Sequence, residues 1–322
     1  MKAIRAHEAG GPEVLRVDDV PDPLPEAGEL LIDVEAAGVN FVDIYQREGL
    51  YQVARPFTLG SEAAGTVRAL GAGVSGFAVG DRMVSQSVKG AYAERARVSA
   101  DRAVKIPNGV TSKQAAAVWL QGLTAHYLAT STFPLARGDR ALVHAAAGGV
   151  GLLLVQIAKM RGAFVVGTAS TEEKRDLARS AGADHVIDYT TKDFASETRR
   201  LTDGFGVAVV YDSVGKTTFD KSLDSLAKRG MLVLFGQSSG PVPPFDPQML
   251  NRKGSLFLTR PTLNDYLLTR IELEIRARDL FNWIERRELS VRVGAEFALA
   301  DAAKAHEALA GRKTTGKVLL VP

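Results

Sequence analysis

The sequence predicts an α/β protein in which a doubly wound parallel sheet is inserted into a β domain that is discontinuous along the chain. Three observations support this prediction. Short strands separated by Gly, Pro and Asp fill the N-terminal third. Strands and helices alternate from Ala141 to Thr259, as in a parallel sheet with right-handed crossovers. The apolar segments Val291–Glu296 and Lys317–Val321 fall outside that alternation, and we expect them to return to the first domain.

The N-terminal β domain is predicted from short apolar or alternating segments that lie between turn residues. Such close spacing of strands is typical of a small barrel or sandwich. Asn40–Arg47 is the one clear helix in this region. The expected strands are Met1–Ala6, Leu30–Ala36, Ala63–Leu70 and Arg82–Ser85.

The middle of the chain begins with an alanine-rich helix over Ser112–Phe133, for which Ser112 is the candidate N-cap. The strands that follow are rich in β-branched residues, which favours a sheet covered on both faces. These strands are predicted at Ala141–His144, Ala163–Thr168, His185–Asp188, Val207–Asp212, Met231–Phe235 and Ser255–Thr259, with helices at Leu152–Met160, Glu172–Ala181, Phe194–Thr202 and Thr217–Leu226. Leu263–Glu288 is expected to form one or two helices. The resulting domain limits are residues 1–123, 124–262 and 263–322.

The small-residue turn Ala146–Gly151 lies between a predicted strand and a predicted helix. It matches the dinucleotide pattern G-x-G-x-x-G, with alanine in place of the first glycine. Such a turn lets the N–H groups at a helix start face a pyrophosphate. Small residues would also allow a helix to pack closely on a strand without any ligand. We interpret the turn as a nucleotide site because a strand and a helix flank it in the required order.

The end of the second strand indicates which dinucleotide is bound. An acid about 20 residues past the turn would favour NAD, and none ends this strand. Ser170, Thr171 and Lys174 instead offer two hydroxyls and a cation, which suit the 2′-phosphate of NADP. Ser170 and Glu173 also match a capping box, and both interpretations can hold because a capped helix start binds anions. The pair Glu172 and Glu173 weighs against NADP. We expect NADPH.

Composition excludes several other classes. The 322 residues are 46% hydrophobic and 24% charged, which is typical of a globular protein. The net charge is only +3 and the basic residues form no block, so a nucleic-acid partner is not expected. The absence of cysteine excludes disulfides, thiol nucleophiles and cysteine-ligated zinc. We find no signal segment and no apolar run of membrane length, and we expect a cytoplasmic protein without membrane association.

Several segments together carry a family resemblance. They are Gly38–Tyr45, Leu59–Gly65, Gly122–Ala125, His144–Gly151, Tyr211–Gly215, Phe235–Gly240 and Leu258–Pro261. Over its whole length the chain resembles the medium-chain dehydrogenase/reductase superfamily. Within it, the sequence is similar to the zinc-free NADPH:quinone oxidoreductase branch, which includes ζ-crystallin.

The resemblance implies a GroES-like catalytic domain split around a Rossmann domain, with the nicotinamide in the cleft between them. It also implies NADPH as cofactor, a quinone as substrate and a homodimer. Asn40 and Ser61 stand where zinc alcohol dehydrogenases of the superfamily carry a cysteine and a histidine. Neither residue can supply that zinc site, so no metal is expected.

The resemblance also implies a set of site residues. Asn40, Tyr45 and Tyr51 are expected to orient the acceptor, and Asn40 and Tyr45 also to contact the nicotinamide end. The remaining cofactor residues are Tyr127, then Gly148, Gly149 and Val150 at the pyrophosphate, Ser170, Thr171 and Lys174 at the 2′-phosphate, Tyr189 and Val214 around the adenosine, and Ser213, Phe235, Gly236, Ser238, Ser239, Arg260, Pro261 and Arg312 along the cofactor cleft. Simpler interpretations remain: Tyr51 as an aromatic wall, Tyr189 as a cap on the sheet edge, Ser213 and Val214 as an ordinary strand exit, and Arg312 as a surface charge.

The expected activity is transfer of a hydride, or of electrons, from NADPH to a quinone. This reaction needs orientation of the reactants and hydrogen-bond donors for the oxyanion that develops on the acceptor, and the candidate donors are Asn40, Tyr45 and Tyr51. No residue stands out as an obligatory general acid. Two alternatives stay open: an NADPH-dependent reductase of 2-alkenals or enones with the same fold, and an NADPH-binding protein without turnover, structural or RNA-binding as in ζ-crystallins.

Overall fold

The computed structural model describes all 322 residues, and the chain forms two compact units. The first unit contains residues Met1–Gln121 and Thr269–Pro322, and the second contains Gly122–Leu268. The second unit is therefore inserted into the first along the sequence, and the predicted fold class is confirmed. The domain limits at residues 123 and 262 stay predictions. None of the helices has both the length and the apolar character that a membrane span requires.

The elements of the N-terminal part of the first unit are short, as the turn residues predict. Its strands are β1 Lys2–Ala6, β2 Leu15–Asp19, β3 Glu29–Val39, β4 Phe57–Thr58, β5 Ala63–Leu70, β6 Arg82–Ser85, β7 Arg95–Ser99 and β8 Val104–Lys105, and its helices are α1 Phe41–Arg47 and α2 Ser112–Tyr127, of which α2 continues into the second unit. The sequence missed β2, β4, β7 and β8. Two of these contain only two residues, which is too short for an alternating pattern.

The second unit alternates strand and helix. Its elements are β9 Arg140–Val143, α3 Gly149–Met160, β10 Phe164–Ala169, α4 Glu172–Ser180, β11 His185–Asp188, α5 Phe194–Leu201, β12 Val207–Asp212, α6 Phe219–Ser225, β13 Leu226–Leu234, α7 Gln248–Arg252 and β14 Phe257–Thr259. The C-terminal part of the first unit consists of α8 Arg270–Glu285, β15 Val293–Ala298, α9 Ala302–Ala310 and β16 Lys317–Val321.

Two sheets build the first unit. A small antiparallel sheet has the order β2-β1-β4, and a larger one has the order β15-β16-β3-β5-β6-β8, with β7 also paired to β3. The C-terminal strand β16 lies antiparallel to β3, with Val318 opposite Val39. The last strands therefore return to the N-terminal sheet, as the sequence predicts. Apolar side chains from both sheets, among them Ile4, Ile32 and Met83, form one buried core.

A single parallel sheet of six strands forms the centre of the second unit, in the order β11-β10-β9-β12-β13-β14. After β9, the strands β10 and β11 are added on one side of it, and β12, β13 and β14 are then added on the other side. The strand order therefore reverses beside β9. In sheets of this kind ligands bind at the carboxyl ends of the strands near that reversal. The predicted strand segments of this unit are all confirmed. The buried core includes Leu142, Val166, Val210 and Leu232 from four neighbouring strands.

Two predicted helix caps were wrong by one residue. Helix α2 is capped by Thr111 rather than Ser112: Thr111 Oγ1 accepts the Gln114 N–H at 3.2 Å, and Gln114 Oε1 accepts the Thr111 N–H at 3.0 Å. Helix α4 is capped by Thr171 rather than Ser170, since Thr171 Oγ1 accepts the Lys174 N–H at 3.3 Å. In both helices the cap is the residue just before the first helical residue, and sequence alone did not locate it.

Two further boundaries differ from the prediction. The helix expected over Thr217–Leu226 covers only Phe219–Ser225, because Leu226 already belongs to β13. The stretch Leu263–Glu288 contains a short 3₁₀ helix at Leu263–Tyr266 followed by α8, which decides between the one and two helices expected there.

Candidate functional site

The glycine turn has the geometry that a pyrophosphate requires. The chain leaves β9, Ala145 adopts φ 49°, and Gly148 N–H donates to the Ala145 carbonyl at 2.8 Å. A Cβ on Gly151 would lie 2.3 Å from the Ala145 oxygen, so the turn lies directly against the first turn of α3. Gly148 is the N-cap of this 12-residue helix, and Gly149 and Val150 are its first two residues. Their N–H groups therefore lie at the positive end of a helix, where a pyrophosphate binds.

A buried polar network that the sequence did not reveal lies directly before this turn, around His144. His144, directly after β9, lies 3.0 Å through Nδ1 from Thr168 Oγ1 and 3.0 Å through Nε2 from Ser222 Oγ. Ser222 donates to Asp212 Oδ2 at 2.8 Å. Burial lowers the pKa of His144, so the imidazole stays neutral. The network links the carboxyl ends of β9, β10 and β12, the three central strands of the sheet.

The predicted 2′-phosphate residues Ser170, Thr171 and Lys174 lie together where β10 meets α4. One of the two glutamates that weighed against NADP is already neutralised, because Glu172 forms ion pairs with Arg175 and, at 2.8 Å, with Arg179. These ion pairs offset part of the repulsion that Glu172 would exert on a phosphate at the start of α4.

An acid that the sequence analysis did not assign lies on the neighbouring strand. Asp188 ends β11 and is level with Ala169, the last residue of β10. Its Oδ2 accepts a bond from Arg175 Nη1 at 2.7 Å, and its Oδ1 accepts one from the Thr190 hydroxyl at 2.6 Å. These partners hold the pKa of Asp188 below its usual range. Arg175 thus pairs with both Asp188 and Glu172, which lessens the repulsion that Asp188 would exert on a phosphate.

The loops after β12 and β13 bring a further group of predicted residues together. Ser239 N–H donates to the Val214 carbonyl at 2.8 Å, and Ser238 N–H to the Ser213 carbonyl at 3.1 Å. A Cβ on Gly236 would lie 2.6 Å from the Ser213 oxygen, so only glycine allows this approach. Within this group, Phe235 is the first residue after β13 and directly precedes Gly236. All of them follow the carboxyl ends of adjacent parallel strands.

Three predicted residues complete this edge of the sheet. Tyr189 follows β11 and is exposed, while Arg260 and Pro261 follow β14, where Arg260 Nη1 donates to the Pro261 carbonyl at 3.4 Å. Tyr127 lies elsewhere, at the end of α2: it is 2% exposed, and its ring stacks on Tyr266 at 4.2 Å. The sequence missed Tyr266. At most a small part of Tyr127 is therefore open to a ligand.

In the first unit, α1 carries an aromatic strip. The rings of Tyr45 and Tyr51 meet edge to face at 5.4 Å between centroids, and the ring of Phe41 lies 6.1 Å from that of Tyr45. Tyr51 is exposed, and its N–H donates to the Tyr45 carbonyl at 3.1 Å. The sequence missed Phe41, although its spacing of four residues from Tyr45 in a helix would have placed the two rings together.

Asn40, the N-cap of α1, is held on every side. Its Nδ2 donates to Glu62 Oε2 at 2.9 Å and to the Gly38 carbonyl at 3.2 Å, and its Oδ1 accepts a bond from Lys317 Nζ at 2.8 Å. Both amide hydrogens are therefore already donated, and Asn40 is not placed to donate to an oxyanion. This differs from the donor role that the sequence predicted for Asn40. Its Oδ1 also faces the Asp43 N–H in the capping box of α1 without forming a full side-chain cap hydrogen bond, so this oxygen is the part of the amide that can still accept from a ligand.

Beneath α1 lies a second buried cluster that the sequence did not reveal. Asp43 Oδ2 accepts the Asn40 N–H at 2.8 Å and the Tyr92 hydroxyl at 3.0 Å. That hydroxyl lies 3.2 Å from Nε2 of His306, whose Nδ1 faces Arg47 Nη1 at 3.2 Å. Burial raises the pKa of Asp43 to about 7 and lowers that of His306 to about 3.

Arg312 lies just beyond α9, with φ 56° and its N–H donating to the Leu309 carbonyl at 3.1 Å. Its side chain is exposed. No group of three or more His, Cys, Asp or Glu side chains is arranged to hold a metal ion. Ser61, at the position where zinc relatives carry a histidine, is half-buried.

Comparison with known proteins identifies the family. Residues 26–108 match the alcohol dehydrogenase GroES-like domain, and residues 149–272 match the zinc-binding dehydrogenase domain. The quinone oxidoreductase of Pseudomonas aeruginosa is 46% identical over 100% of this chain and 99% of its own. The chain belongs to the quinone oxidoreductase family of the medium-chain dehydrogenases/reductases. The resemblance found in the sequence is confirmed.

Two further relatives are similar to this chain over nearly its whole length. The quinone oxidoreductase of Escherichia coli, solved as a complex with NADPH, superposes with a TM-score of 0.98 at 42% identity and covers 100% of both chains. A 2-haloacrylate reductase from a Burkholderia species is 40% identical over 98% of this chain and 97% of its own. A quinone oxidoreductase and a 2-haloacrylate reductase therefore share a comparable fraction of identical residues with this chain.

Proposed function

We propose that this protein is an NADPH:quinone oxidoreductase that reduces a quinone without zinc. The observation that carries the proposal is the match over 100% of both chains, with a TM-score of 0.98, to a quinone oxidoreductase solved with NADPH. The chain's own geometry supports it, since a tight glycine turn meets the N-terminus of α3 at the strand-order reversal of a parallel sheet.

We assign the NADPH site to the carboxyl edge of that sheet. Gly149 and Val150 would hold the pyrophosphate through their backbone N–H groups, and Gly148, whose own N–H donates to the Ala145 carbonyl, would let the phosphate approach because it has no side chain. Ser170, Thr171 and Lys174 would hold the 2′-phosphate. The other residues proposed to line the cofactor are Tyr127, Tyr189, Ser213, Val214, Phe235, Gly236, Ser238, Ser239, Arg260, Pro261 and Arg312. Bound NADPH supplies the reducing equivalents as a hydride or as electrons.

For the acceptor, we assign the aromatic strip of α1 and the loop after it. The rings of Phe41, Tyr45 and Tyr51 are neighbours inclined to one another, and a flat quinone can pack against a face of such a ring. Tyr45 and Tyr51 also carry hydroxyls that can donate to a developing oxyanion, a role for which Asn40 has no free amide hydrogen. The proton that completes a hydroquinone can come from water.

A second candidate function is reduction of an activated C=C bond, as in 2-alkenals or enones. The observation that favours it is the 40% identity to a 2-haloacrylate reductase over nearly the whole length of both chains. Both functions would use the same NADPH site, so the cofactor residues do not separate them. The quinone proposal is preferred because quinone oxidoreductases reach 46% identity.

A substrate panel tests the choice. The initial rate of NADPH oxidation should be measured with quinones, 2-alkenals, enones and 2-haloacrylate at equal enzyme concentration. We expect the highest kcat/KM with a quinone. A higher kcat/KM with any activated alkene would assign the protein to the second function, and NADPH binding without oxidation of any of these would favour the non-enzymatic, ζ-crystallin-like alternative.

We also propose, from the family resemblance, that the protein is a cytoplasmic homodimer without a nucleic-acid partner. Light scattering of the full chain at assay concentration gives the oligomeric state directly. A monomeric mass would overturn the dimer proposal and leave the proposed reaction unaffected.

A further inference from the structure

Three side chains from distant parts of the sequence meet beside the start of α1. Lys317 is 1% exposed, Glu62 0% and Asn40 5%. Lys317 Nζ forms a buried ion pair with Glu62 Oε2 and donates to Asn40 Oδ1 at 2.8 Å. β16 therefore delivers a positive charge from the C-terminal part of the chain to the cap residue of α1.

The surrounding backbone is shaped for this cluster. A Cβ on Gly38 would lie 2.0 Å from Glu62 Oε2 and 2.7 Å from Lys317 Cε, so β3 can pass only with glycine at this position. The other carboxylate oxygen, Glu62 Oε1, accepts the Leu120 N–H from α2 at 2.5 Å. Glu62 is thus held at both oxygens, and neither charge is left without a partner.

Stability alone does not explain such an arrangement, because a buried ion pair is often no better than apolar residues of equal volume. Its chemical effect is to distinguish the two ends of the Asn40 amide, which have nearly the same shape. A lysine ammonium only donates, and a carboxylate only accepts. Turning the amide over would place its N–H groups against the ammonium and its oxygen against the carboxylate. One orientation is therefore strongly favoured.

We propose that Lys317, together with Glu62, is a positioning residue that holds the Asn40 amide as a hydrogen-bond acceptor toward the nicotinamide end of bound NADPH. This inference rests on the proposed function, and on the family resemblance, which implies that Asn40 contacts the nicotinamide end of the cofactor. With Nδ2 fully used and one lone pair of Oδ1 taken by Lys317, the group that Asn40 binds must be a donor on the ligand. The ammonium also polarises the amide, which stiffens its orientation.

The inference makes a prediction for a charge-free variant. The double substitution Glu62→Gln and Lys317→Met removes both charges together, so no unpaired charge is buried and the protein should fold. The Asn40 amide then loses the partner that defines its oxygen end. We expect kcat for 1,4-naphthoquinone reduction to fall by about tenfold or more, while KM for NADPH changes by less than about threefold.

A spectroscopic measurement separates positioning from a merely structural role. In protein labelled with ¹⁵N-asparagine and free of NADPH, the Asn40 side-chain NH₂ signal is identified by its loss in Asn40→Asp. In the wild type it should exchange slowly with solvent, because both hydrogens are bonded and buried. In the double variant it should shift and exchange at least about tenfold faster. The matched control is Leu320→Ala on the same strand, which removes core packing without touching the cluster.

The outcomes are distinct. Loss of kcat and a shifted amide signal in the double variant, with both unchanged in Leu320→Ala, supports positioning. An unchanged amide signal, or changes equal to those of Leu320→Ala, overturns it. A wild type that oxidises no NADPH contradicts the proposed function instead, and the amide signal of the free protein then still decides whether Lys317 holds Asn40.

Discussion

The buried pair Asp43 and His306 makes a sharp prediction about the pH dependence of stability. Both belong to the first unit and are linked through the Tyr92 hydroxyl, 3.0 Å from Asp43 Oδ2 and 3.2 Å from His306 Nε2. Burial acts on them in opposite directions. It raises the pKa of Asp43 from 3.8 to about 7 and lowers that of His306 from 6.5 to about 3. Each residue is therefore neutral over most of the range between pH 4 and 6.5.

The two residues contribute to stability with opposite signs. Folded Asp43 keeps its proton where the unfolded chain releases it, so its contribution is full below pH 3.8 and is lost as the pH rises toward about 7. Folded His306 stays neutral where the unfolded chain binds a proton, so its contribution is full above pH 6.5 and is lost as the pH falls toward about 3. Between these limits each slope is about 1.4 kcal/mol per pH unit, and the two slopes cancel.

Removing either residue should expose the slope of the other. Relative to wild type, His306→Gln should lose about 1.4 kcal/mol of unfolding free energy for each pH unit from 4.5 to 6, and Asp43→Asn should gain about as much. Over those 1.5 units the two variants should diverge by about 4 kcal/mol. These slopes require only that the pKa of folded Asp43 lies above this pH window and that of folded His306 below it. How far each pKa lies beyond the window does not change the slope.

Urea unfolding followed by tryptophan fluorescence measures this divergence. Trp119 and Trp283 are the only two tryptophans, and both lie in the first unit, so the signal reports the unit that contains the cluster. All other titrating groups are common to the three proteins and cancel in the comparison. Parallel pH dependence of the two variants would refute the reasoning, because it would mean that burial does not shift these two pKa values apart.

Three further predictions concern the proposed site. Gly151→Ala should weaken NADPH binding by about tenfold or more in a fluorescence titration, because its Cβ would lie 2.3 Å from the Ala145 oxygen; an unchanged dissociation constant would contradict the assigned turn. Lys174→Glu should raise KM for NADPH by about tenfold or more and should raise KM for NADH far less. Equal increases in the two KM values would contradict the 2′-phosphate assignment. Tyr51→Ala should raise the quinone KM several-fold and leave NADPH affinity nearly unchanged, and a constant quinone KM would remove this ring from the acceptor site.

Much of the second unit could be predicted because its signals are local. A buried strand, a glycine turn and an amphipathic helix follow one another within about 20 residues, and the parallel arrangement then brings every strand end to one edge. Gly148, Ser170 and Ser213 could therefore be assigned to a common edge without knowledge of any contact. The exact helix caps at Thr111 and Thr171 could not, because neighbouring Ser and Thr residues offer the same chemistry at a spacing of one residue.

The buried clusters of the first unit could not be predicted, since their members are brought together only by the folded sheet. Lys317 and Asn40 are separated by 277 positions, and Arg47 and His306 by 259. No spacing rule joins residues so far apart. In the sequence, Lys317 reads as an ordinary charge at the start of a strand, whereas in the structure it is buried against a carboxylate. The donor role expected of Asn40 failed for the same reason.

The most direct test of the central claim is NADPH consumption after addition of 1,4-naphthoquinone to the full chain that has been treated with a metal chelator. The absorbance of NADPH should fall at a rate proportional to protein concentration, and the chelator should leave that rate unchanged. NADPH should be used in clear preference to NADH. A protein that binds NADPH but oxidises none of it with any quinone, or one that loses its activity to the chelator, would contradict the account.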